Sequence, residues 1–525
     1  MILNTSVFAK PIDIETAKQI GANFLKQSII NIQSEDAYYI LQSKNGFVIL
    51  ATDDVVNPII GYSYNNPINT NDLPPALKEM LDNKAEQIHN IVENKSFATH
   101  QVQQKWQELL SGKKSANEFL SGSGDPLIKT KWRQSEPYNW EIPMNDVVNK
   151  WWACQKLVGC VALSMGQIMH YWEWPKYGKG FHIYSYVYSD GKQYDFAADF
   201  EHTKYEWEKM RREYLRFPEG LIWTDTTTDA LVDSIISAYR DSVLPVTTLL
   251  YHCGVSVRMK YDDYGKCGQQ SSARVSPLFN STFPTYPDTI VMREYNKDKT
   301  LTNKNAFLAF TNHFRYPESI SYLQKSRKEQ YVIWDSTGLF YTNVITVPYT
   351  DEEWIEIIKN EIDNKRPILY VAYDDEDANS GHAFVCDGYD GDNMLHFNWG
   401  WGGDSDGYYN VNNKQGFNRA DGMIIGIESP EGLPDGITEN NIIRCNISPN
   451  PINTQFTLNL DLWEIGNLNI KLVDLLGNEI AELYNNFENV GQFTKTFSLE
   501  SFLSGTYFLK INHNENWQCQ KLIKK

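Results

Sequence analysis

Two runs of turn-forming residues divide this chain before any other feature can be read. The first extends from Ser111-Gly112-Lys113-Lys114-Ser115 to Ser121-Gly122-Ser123-Gly124-Asp125-Pro126 and is a polar tract suited to an exposed, cleavable linker. The second, Glu428-Ser429-Pro430-Glu431-Gly432-Leu433-Pro434-Asp435-Gly436, is dense in Pro and Gly. Pro breaks helices and sheet ladders, and Gly weakens both. A chain of 525 residues also exceeds what one hydrophobic core supports. The expected division is therefore 1–126, 127–428, a linker at 429–440, and 441–525.

Each part has its own periodicity. Residues 12–30 read as a helix with Ile14, Ala17, Ile20, Phe24, Leu25 and Ile29 on one face and Asp13 as N-cap. Short strand-like runs at 37–41, 46–51 and 58–62 follow, with Asn45-Gly46 as a hairpin turn, then a second helix from Leu77 to Val92. This is a small α+β unit. The middle part is aromatic-rich and ends in the apolar strand Met423-Ile424-Ile425-Gly426-Ile427. The last part alternates apolar and polar residues, as in Phe456-Leu458-Leu460, with turn signals every 8–14 residues, the pattern of a small β-sandwich.

Composition narrows the function classes. A formal net charge of −18 argues against a nucleic-acid partner and against an anionic membrane surface. No apolar run reaches the roughly 18–20 residues a membrane span needs. The first residues, Met1 to Ala9, lack the basic region of a signal peptide and read, taken alone, as a frayed terminus or else as the cropped end of one. Of the seven cysteines (Cys154, Cys160, Cys253, Cys267, Cys386, Cys445 and Cys519), none form a CxxC pair. No metal site and no cofactor are called for. Cys445 and Cys519 lie at opposite ends of the last part and would be bridged if its first and last strands were neighbours.

The chemistry sits in four places. In Leu157-Val158-Gly159-Cys160-Val161-Ala162-Leu163-Ser164-Met165-Gly166-Gln167-Ile168-Met169-His170-Tyr171-Trp172 the apolar spacing after Cys160 is helical. Cys160 then occupies the first turn, where unpaired N–H groups and the dipole favour a thiolate. Gly159 lets a substrate backbone approach. In Ser380-Gly381-His382-Ala383-Phe384-Val385-Cys386 a buried strand pattern starts behind Gly381, which puts His382 at the strand entrance as a base. Sixteen residues later, across a hairpin-like return, comes Asn398 in His396-Phe397-Asn398-Trp399-Gly400-Trp401-Gly402-Gly403. Its amide oxygen can fix an imidazole tautomer, with Trp399 shielding that bond from water, the arrangement of Cys-His-Asn catalysis. Gln134, in Lys131-Trp132-Arg133-Gln134-Ser135-Glu136-Pro137-Tyr138-Asn139, would supply the side-chain amide of an oxyanion hole.

Together, GCVA…GQIM.Y, SGHAFV.DGYD, FNWGWGG and Gln134 to Asn139 resemble the streptopain-type (C10) papain-like cysteine peptidases. The resemblance implies Cys160 as nucleophile, His382 as base, Asn398 as orienter and Gln134 as oxyanion donor, with protein or peptide substrates. Residues 12–95 look like the inhibitory propeptide of that family, an intramolecular inhibitor. The tail from Ile447-Ser448-Pro449-Asn450-Pro451 to Lys521-Leu522-Ile523-Lys524-Lys525 is similar to type IX secretion sorting domains, which implies the type IX machinery as partner, export through the periplasm and a secreted or cell-surface location. Residues 283–348 are longer than the family's usual connection there and read as an insertion. The expected architecture is an α+β papain-like peptidase domain behind a small α+β propeptide and ahead of an all-β sandwich. A catalytically silent papain-like adhesin and a thiol acyltransferase are the other readings of the same residues.

Overall fold

The computed structural model describes residues 10–94, 97–112, 122–123, 125–142, 156–187, 193–214, 229–261, 305–334, 340–373, 381–411, 422–432, 444–462, 466–474, 479–489, 491–513 and 516–525. The signal-peptide-like start, most of the first linker, residues 283–304 of the long insertion and the linker beyond Gly432 lie outside the described residues. The chain forms two compact units, Met1–Met210 with Tyr214–Pro430, and Glu431–Lys525 with Arg211–Glu213.

The first unit begins with helix α1 (Ile14–Leu25), started by Asp13, whose side chain accepts from Thr16 N and so satisfies one of the free N–H groups of the first turn. Ala17, Ile20, Phe24 and Leu25 are buried as expected, while Ile14 is exposed. Strands β1 (Asn31–Ser34), β2 (Tyr38–Gln42), β3 (Phe47–Ala51) and β4 (Ile59–Ser63) form an antiparallel meander, followed by α2 (Pro75–Glu93) and α3 (His100–Leu110). The Asn45-Gly46 turn is closed by Ser43, whose hydroxyl bonds Gly46.

Helix α4 (Cys160–Trp172) comes next, then the hairpin β5 (Phe181–Val187) and β6 (Gln193–Asp199). After these come α5 (Asp229–Ser256), α6 (Ala306–Asn312), β7 (Ser321–Gln324), the hairpin β8 (Ser326–Trp334) and β9 (Phe340–Pro348), and α7 (Asp351–Asp363). Strands β10 (Ile368–Tyr373), β11 (Gly381–Tyr389), β12 (Leu395–Asn398), β13 (Gly407–Tyr409) and β14 (Gly422–Ile425) complete the unit. Helix α7 opens with a capping box between Thr350 and Glu353.

One ten-stranded sheet runs β1-β2-β3-β4-β13-β12-β11-β10-β14-β7. The N-terminal strands thus add directly to the edge of the central sheet, with Tyr62 opposite Tyr408 and Gly61 opposite Tyr409. Tyr62 stacks on Tyr408 with ring centroids 5.2 Å apart and meets the edge of Phe24 at 5.1 Å. Its hydroxyl donates to Asp390 Oδ2 at 3.0 Å. Burial pushes the Asp390 carboxyl up to about 6, against the hydrogen bonds it accepts. Two residue pairs are in register along this seam, so much of its strength lies in the buried rings. Each fully buried aromatic side chain contributes about 1.5–3 kcal/mol, while a cross-strand pair adds about 0.2–1 kcal/mol.

The end of the stretch that composition marks as a loose linker is pinned. Ser123 N donates to Tyr389 O, Ser123 Oγ accepts from Tyr389 N, and Leu127 N donates to Asp387 O, all at 2.9 Å. Residues 122–123 and 125–130 therefore form a strap against β11.

The second unit has strands β15 (Arg444–Ser448), β16 (Gln455–Leu462), β17 (Gly466–Val473), β18 (Glu479–Glu488), β19 (Gly491–Ser498), β20 (Gly505–His513) and β21 (Asn516–Lys524). They form two sheets, β15-β16-β19 and β18-β17-β20-β21, around Phe456, Leu458, Leu460, Ile470, Leu472, Leu509 and Ile511. The expected sandwich is present. The expected Cys445–Cys519 bridge is not: β15 and β21 belong to different sheets, and the Cys445 thiol is free. The chain just after β15 meets the last strand through a parallel bridge of Ile452 with Lys524.

A Cβ at Gly61 would stand 2.5 Å from the Tyr409 ring. Gly61→Val should therefore unpair β4 from β13. Faster amide exchange at Tyr408 and Tyr409 in that variant is the expected result, and unchanged protection would show that the seam tolerates a side chain there.

Candidate active site

Helix α4 is buried along nearly its whole length, so every residue from Val161 to Met169 is enclosed. It packs on β10 and β11 and on α5. On β11, Phe384 and Cys386 join a core with Trp354 and Ile358 of α7. Ala383 and Val385, one position out of phase, belong to the opposite face of the sheet.

Gly159 caps α4 at φ 90°, a conformation that L side chains resist. That turn delivers Cys160 at the first helical position. The thiol accepts from Ala383 N at 3.5 Å, so it meets the residue directly after His382. Gly381 begins β11 opposite Tyr373, and His382 pairs with Ala372. Cys160 and His382 are each half-buried as residues, yet their surroundings disfavour charge on both. Burial raises the Cys160 thiol, against the backbone N–H groups of Ala383, Val161 and Cys160. Burial also lowers His382. Both shifts oppose a thiolate–imidazolium pair in the intact chain.

Gln134 lies between the helix entrance and the glycine-rich turn. Its backbone oxygen accepts from Val158 N at 3.0 Å, Arg133 bridges Trp401, and Gly402 N donates to Trp132 O at 3.0 Å. Asn398 sits on β12 opposite Val385, three residues along from His382. Its Nδ2 donates to Thr130 O at 2.9 Å, and its Oδ1 accepts from Gln167 Nε2 and Gly400 N, both at 3.1 Å. Among the described residues no hydrogen bond joins it to the His382 ring. Trp399 is packed against Phe384, Phe397 and Tyr409, with its nearest ring, Phe384, at 4.6 Å. Trp399 N donates to Asp406 Oδ1 at 2.8 Å, and burial pushes that carboxyl up to about 7.

Two neighbours were not singled out from the sequence. Gln167 and Thr130 are buried partners of Asn398, and the readable signal was a lone amide on an otherwise apolar helix. A second buried pair, His396 Nδ1 with Asp387 Oδ1 at 2.6 Å, holds β12 to β11, while Asp387 Oδ2 accepts from Ile128 N at 2.8 Å. The N-terminal unit reaches the same region. Ser405 N donates to Pro67 O at 2.8 Å and Asn66 Nδ2 donates to Asp406 O at 3.3 Å.

Residues 132–299 and 285–409 match the Peptidase C10 family, together more than half of the chain. The chain belongs to that family and is a cysteine protease. Residues 9–88 match the Spi protease inhibitor domain, and 446–525 match the secretion system C-terminal sorting domain, which marks a secreted or cell-surface protein. Among curated relatives it is similar to the thiol protease/hemagglutinin PrtT of Porphyromonas gingivalis, 25% identical over 407 residues, covering 75% of this chain and 37% of that protein. The chain thus spans little more than a third of PrtT. It is 24% identical over 436 residues to streptopain of Streptococcus pyogenes, covering 78% of this chain and 85% of streptopain. Among solved structures it is similar to a prointerpain A fragment of Prevotella intermedia, with 22% identity, a TM-score of 0.49, and 77% and 99% of the two chains covered. Active interpain A from the same organism gives 24% identity, a TM-score of 0.38, and 58% and 95% covered.

The electrostatics predict the reactivity of the intact chain. With the thiol held up by burial, Cys160 should alkylate slowly at about pH 6–8 and faster only above the ordinary thiol range of about 8.5. Iodoacetamide labelling of the Cys160 peptide, followed by mass spectrometry, reads this against a form freed of the N-terminal unit, which should label readily at about pH 6. Equal rates at pH 6 would show that the intact chain already holds a thiolate.

Proposed function

We propose that this chain is the zymogen of a secreted cysteine endopeptidase in which Cys160 is the nucleophile, His382 the base, Asn398 the orienter of His382 and Gln134 the side-chain oxyanion donor. The observation that carries the reading is the Cys160 sulfur at the first position of a buried helix, 3.5 Å from the N–H of the residue after His382. A nucleophile fixed there needs little reorganisation to meet an imidazole at the same strand entrance.

In the competent enzyme His382 takes the Cys160 proton, and the thiolate attacks the scissile carbonyl carbon. The developing oxyanion is met by the Cys160 backbone N–H and the Gln134 amide. His382 then returns the proton to the leaving amine, and water hydrolyses the thioester. Gly159 leaves room for the substrate backbone, Gly381 frees the approach to His382, and Trp399 shields the His382–Asn398 interaction from water.

In this reading residues 1–126 are propeptide and linker, 127–428 the peptidase domain with its insertion at 283–348, 429–440 a linker and 441–525 the sorting domain. Since Ser123 and Leu127 are bonded to β11, activating cleavage that leaves the strap in place falls ahead of Gly122. The N-terminal unit restrains activity through the sheet seam and through Asn66 and Pro67 at the turn after Trp399.

The activated Cys160→Ala enzyme should be inert towards casein; undiminished proteolysis would sink the assignment. Gln134→Ala should lower kcat by about 10²–10³ with a smaller change in KM. Lost stability with normal turnover per titrated thiol would make Gln134 structural instead. A chain ending at Pro430 should keep its specific activity in vitro but remain in the periplasm of its host. Its normal appearance outside the cell would remove the sorting role of the tail.

A further inference from the structure

Three buried polar side chains close a ring beside the catalytic cysteine's helix. Thr130 Oγ1 donates to Gln167 Oε1 at 2.8 Å, Gln167 Nε2 donates to Asn398 Oδ1 at 3.1 Å, and Asn398 Nδ2 donates back to Thr130 O at 2.9 Å. Gln167 is 0% exposed, and Thr130 and Asn398 are each 3% exposed. The direction of the ring is fixed by its backbone members. Thr130 O can only accept and Gly400 N can only donate, so the Asn398 amide has one possible orientation. The ring also joins three distant pieces of chain: the strap, helix α4 and strand β12.

Gln167 lies seven residues after Cys160, two helical turns along nearly the same face of α4. The ring therefore couples the helix that carries the nucleophile to the strand that carries the orienting amide. An amide in that enclosure gains nothing as a core filler, since a buried polar group costs stability unless it is bonded. A leucine would fill such a place at lower cost.

We infer that Gln167, held by Thr130, is a positioning residue that sets the orientation of Asn398 relative to Cys160 and His382. This rests on the reading of Asn398 as the orienter of His382. Gln167 does not touch substrate or reacting atoms. It acts by holding the Asn398 amide, whose oxygen already accepts from Gln167 and Gly400 and so favours the protonated imidazole through its dipole rather than a third hydrogen bond. Loss of Gln167 then lets His382 deprotonate at lower pH.

The test uses enzyme activated from the full chain, with kcat expressed per titrated thiol. Gln167→Met keeps the volume and removes both hydrogen bonds. It should lower kcat about ten-fold with KM within about two-fold, well under the roughly hundred-fold cost of a 1 Å misplacement. The alkaline limb of its pH profile should move to lower pH. Gln167→Glu should recover activity towards acid pH, where the protonated carboxyl can again donate to Asn398. In an Asn398→Ala background, Gln167→Met should cost nothing further, because the amide it positions is gone. If Gln167→Met fails to fold, Thr130→Val breaks the ring from the strap and should give the same shift in pH profile with a smaller loss. Normal kcat and pH profile in these ring variants beside an impaired Asn398→Ala enzyme overturns the positioning role alone, as do losses that add in the double variant. An undiminished Asn398→Ala enzyme overturns both this role and the orienting role of Asn398.

Discussion

The seating of α4 on β11 is the contact on which the rest of this molecule depends. A helix with one exposed stripe could slide or roll on a sheet, but α4 is enclosed from Val161 to Met169 and has no free face to trade. Such close-packed interiors do not shift by small increments. Its first residue is therefore placed by packing, and the Cys160 thiol inherits that precision. The thiol ends at the strand entrance where His382 begins its ladder with Ala372. Without the enclosure, the same residues would be an ordinary cysteine and an ordinary histidine.

The sheet that receives α4 is also where the N-terminal unit attaches. Strand β13 ends the peptidase ladder, and its free edge is occupied by β4. An edge strand attracts pairing, since its unpaired N–H and C=O groups act as a template. The N-terminal unit uses that tendency and adds side-chain identity to it. Tyr62 must lie between Phe24 and Tyr408 and reach Asp390 at once. A generic strand could supply the backbone pairing but not that set of contacts, and an unmet buried hydroxyl costs about 1–3 kcal/mol. Pairing supplies adhesion, and Tyr62 supplies register.

Charge in the site follows from the same enclosure. An imidazole and a thiol at contact gain about 4 kcal/mol as an ion pair at an effective dielectric near 20. Here the sulfur's partner is instead the Ala383 N–H, and burial opposes charge on both groups. A neutral pair is then the lower state. Burial alone thus keeps charge off both groups in the intact chain.

What the sequence shows and what it hides follow one physical line. Features carried by local periodicity were legible: the Asp13 cap, the strands at 38–42, 47–51 and 59–63, Cys160 at a helix start, His382 at a strand entrance and the alternation that builds the terminal sandwich. Strand β1 was missed because Asn31–Ser34 buries none of its side chains fully, and α3 because only Trp106 and Leu109 are buried. Partnerships between distant segments left no local trace. Tyr62 and Asp390 are 328 residues apart, and Gln167 and Asn398 are 231 apart. Ser123 reads as linker because serine and glycine suit loops, yet the same small residues let the backbone lie against Tyr389. The bridge expected of Cys445 and Cys519 failed for the same reason, since proximity along a strand pattern does not say which sheet a strand joins. Residue type and spacing marked the candidate residues, whereas the hydrogen bonds among their neighbours became visible only once α4, β12 and the strap were brought together.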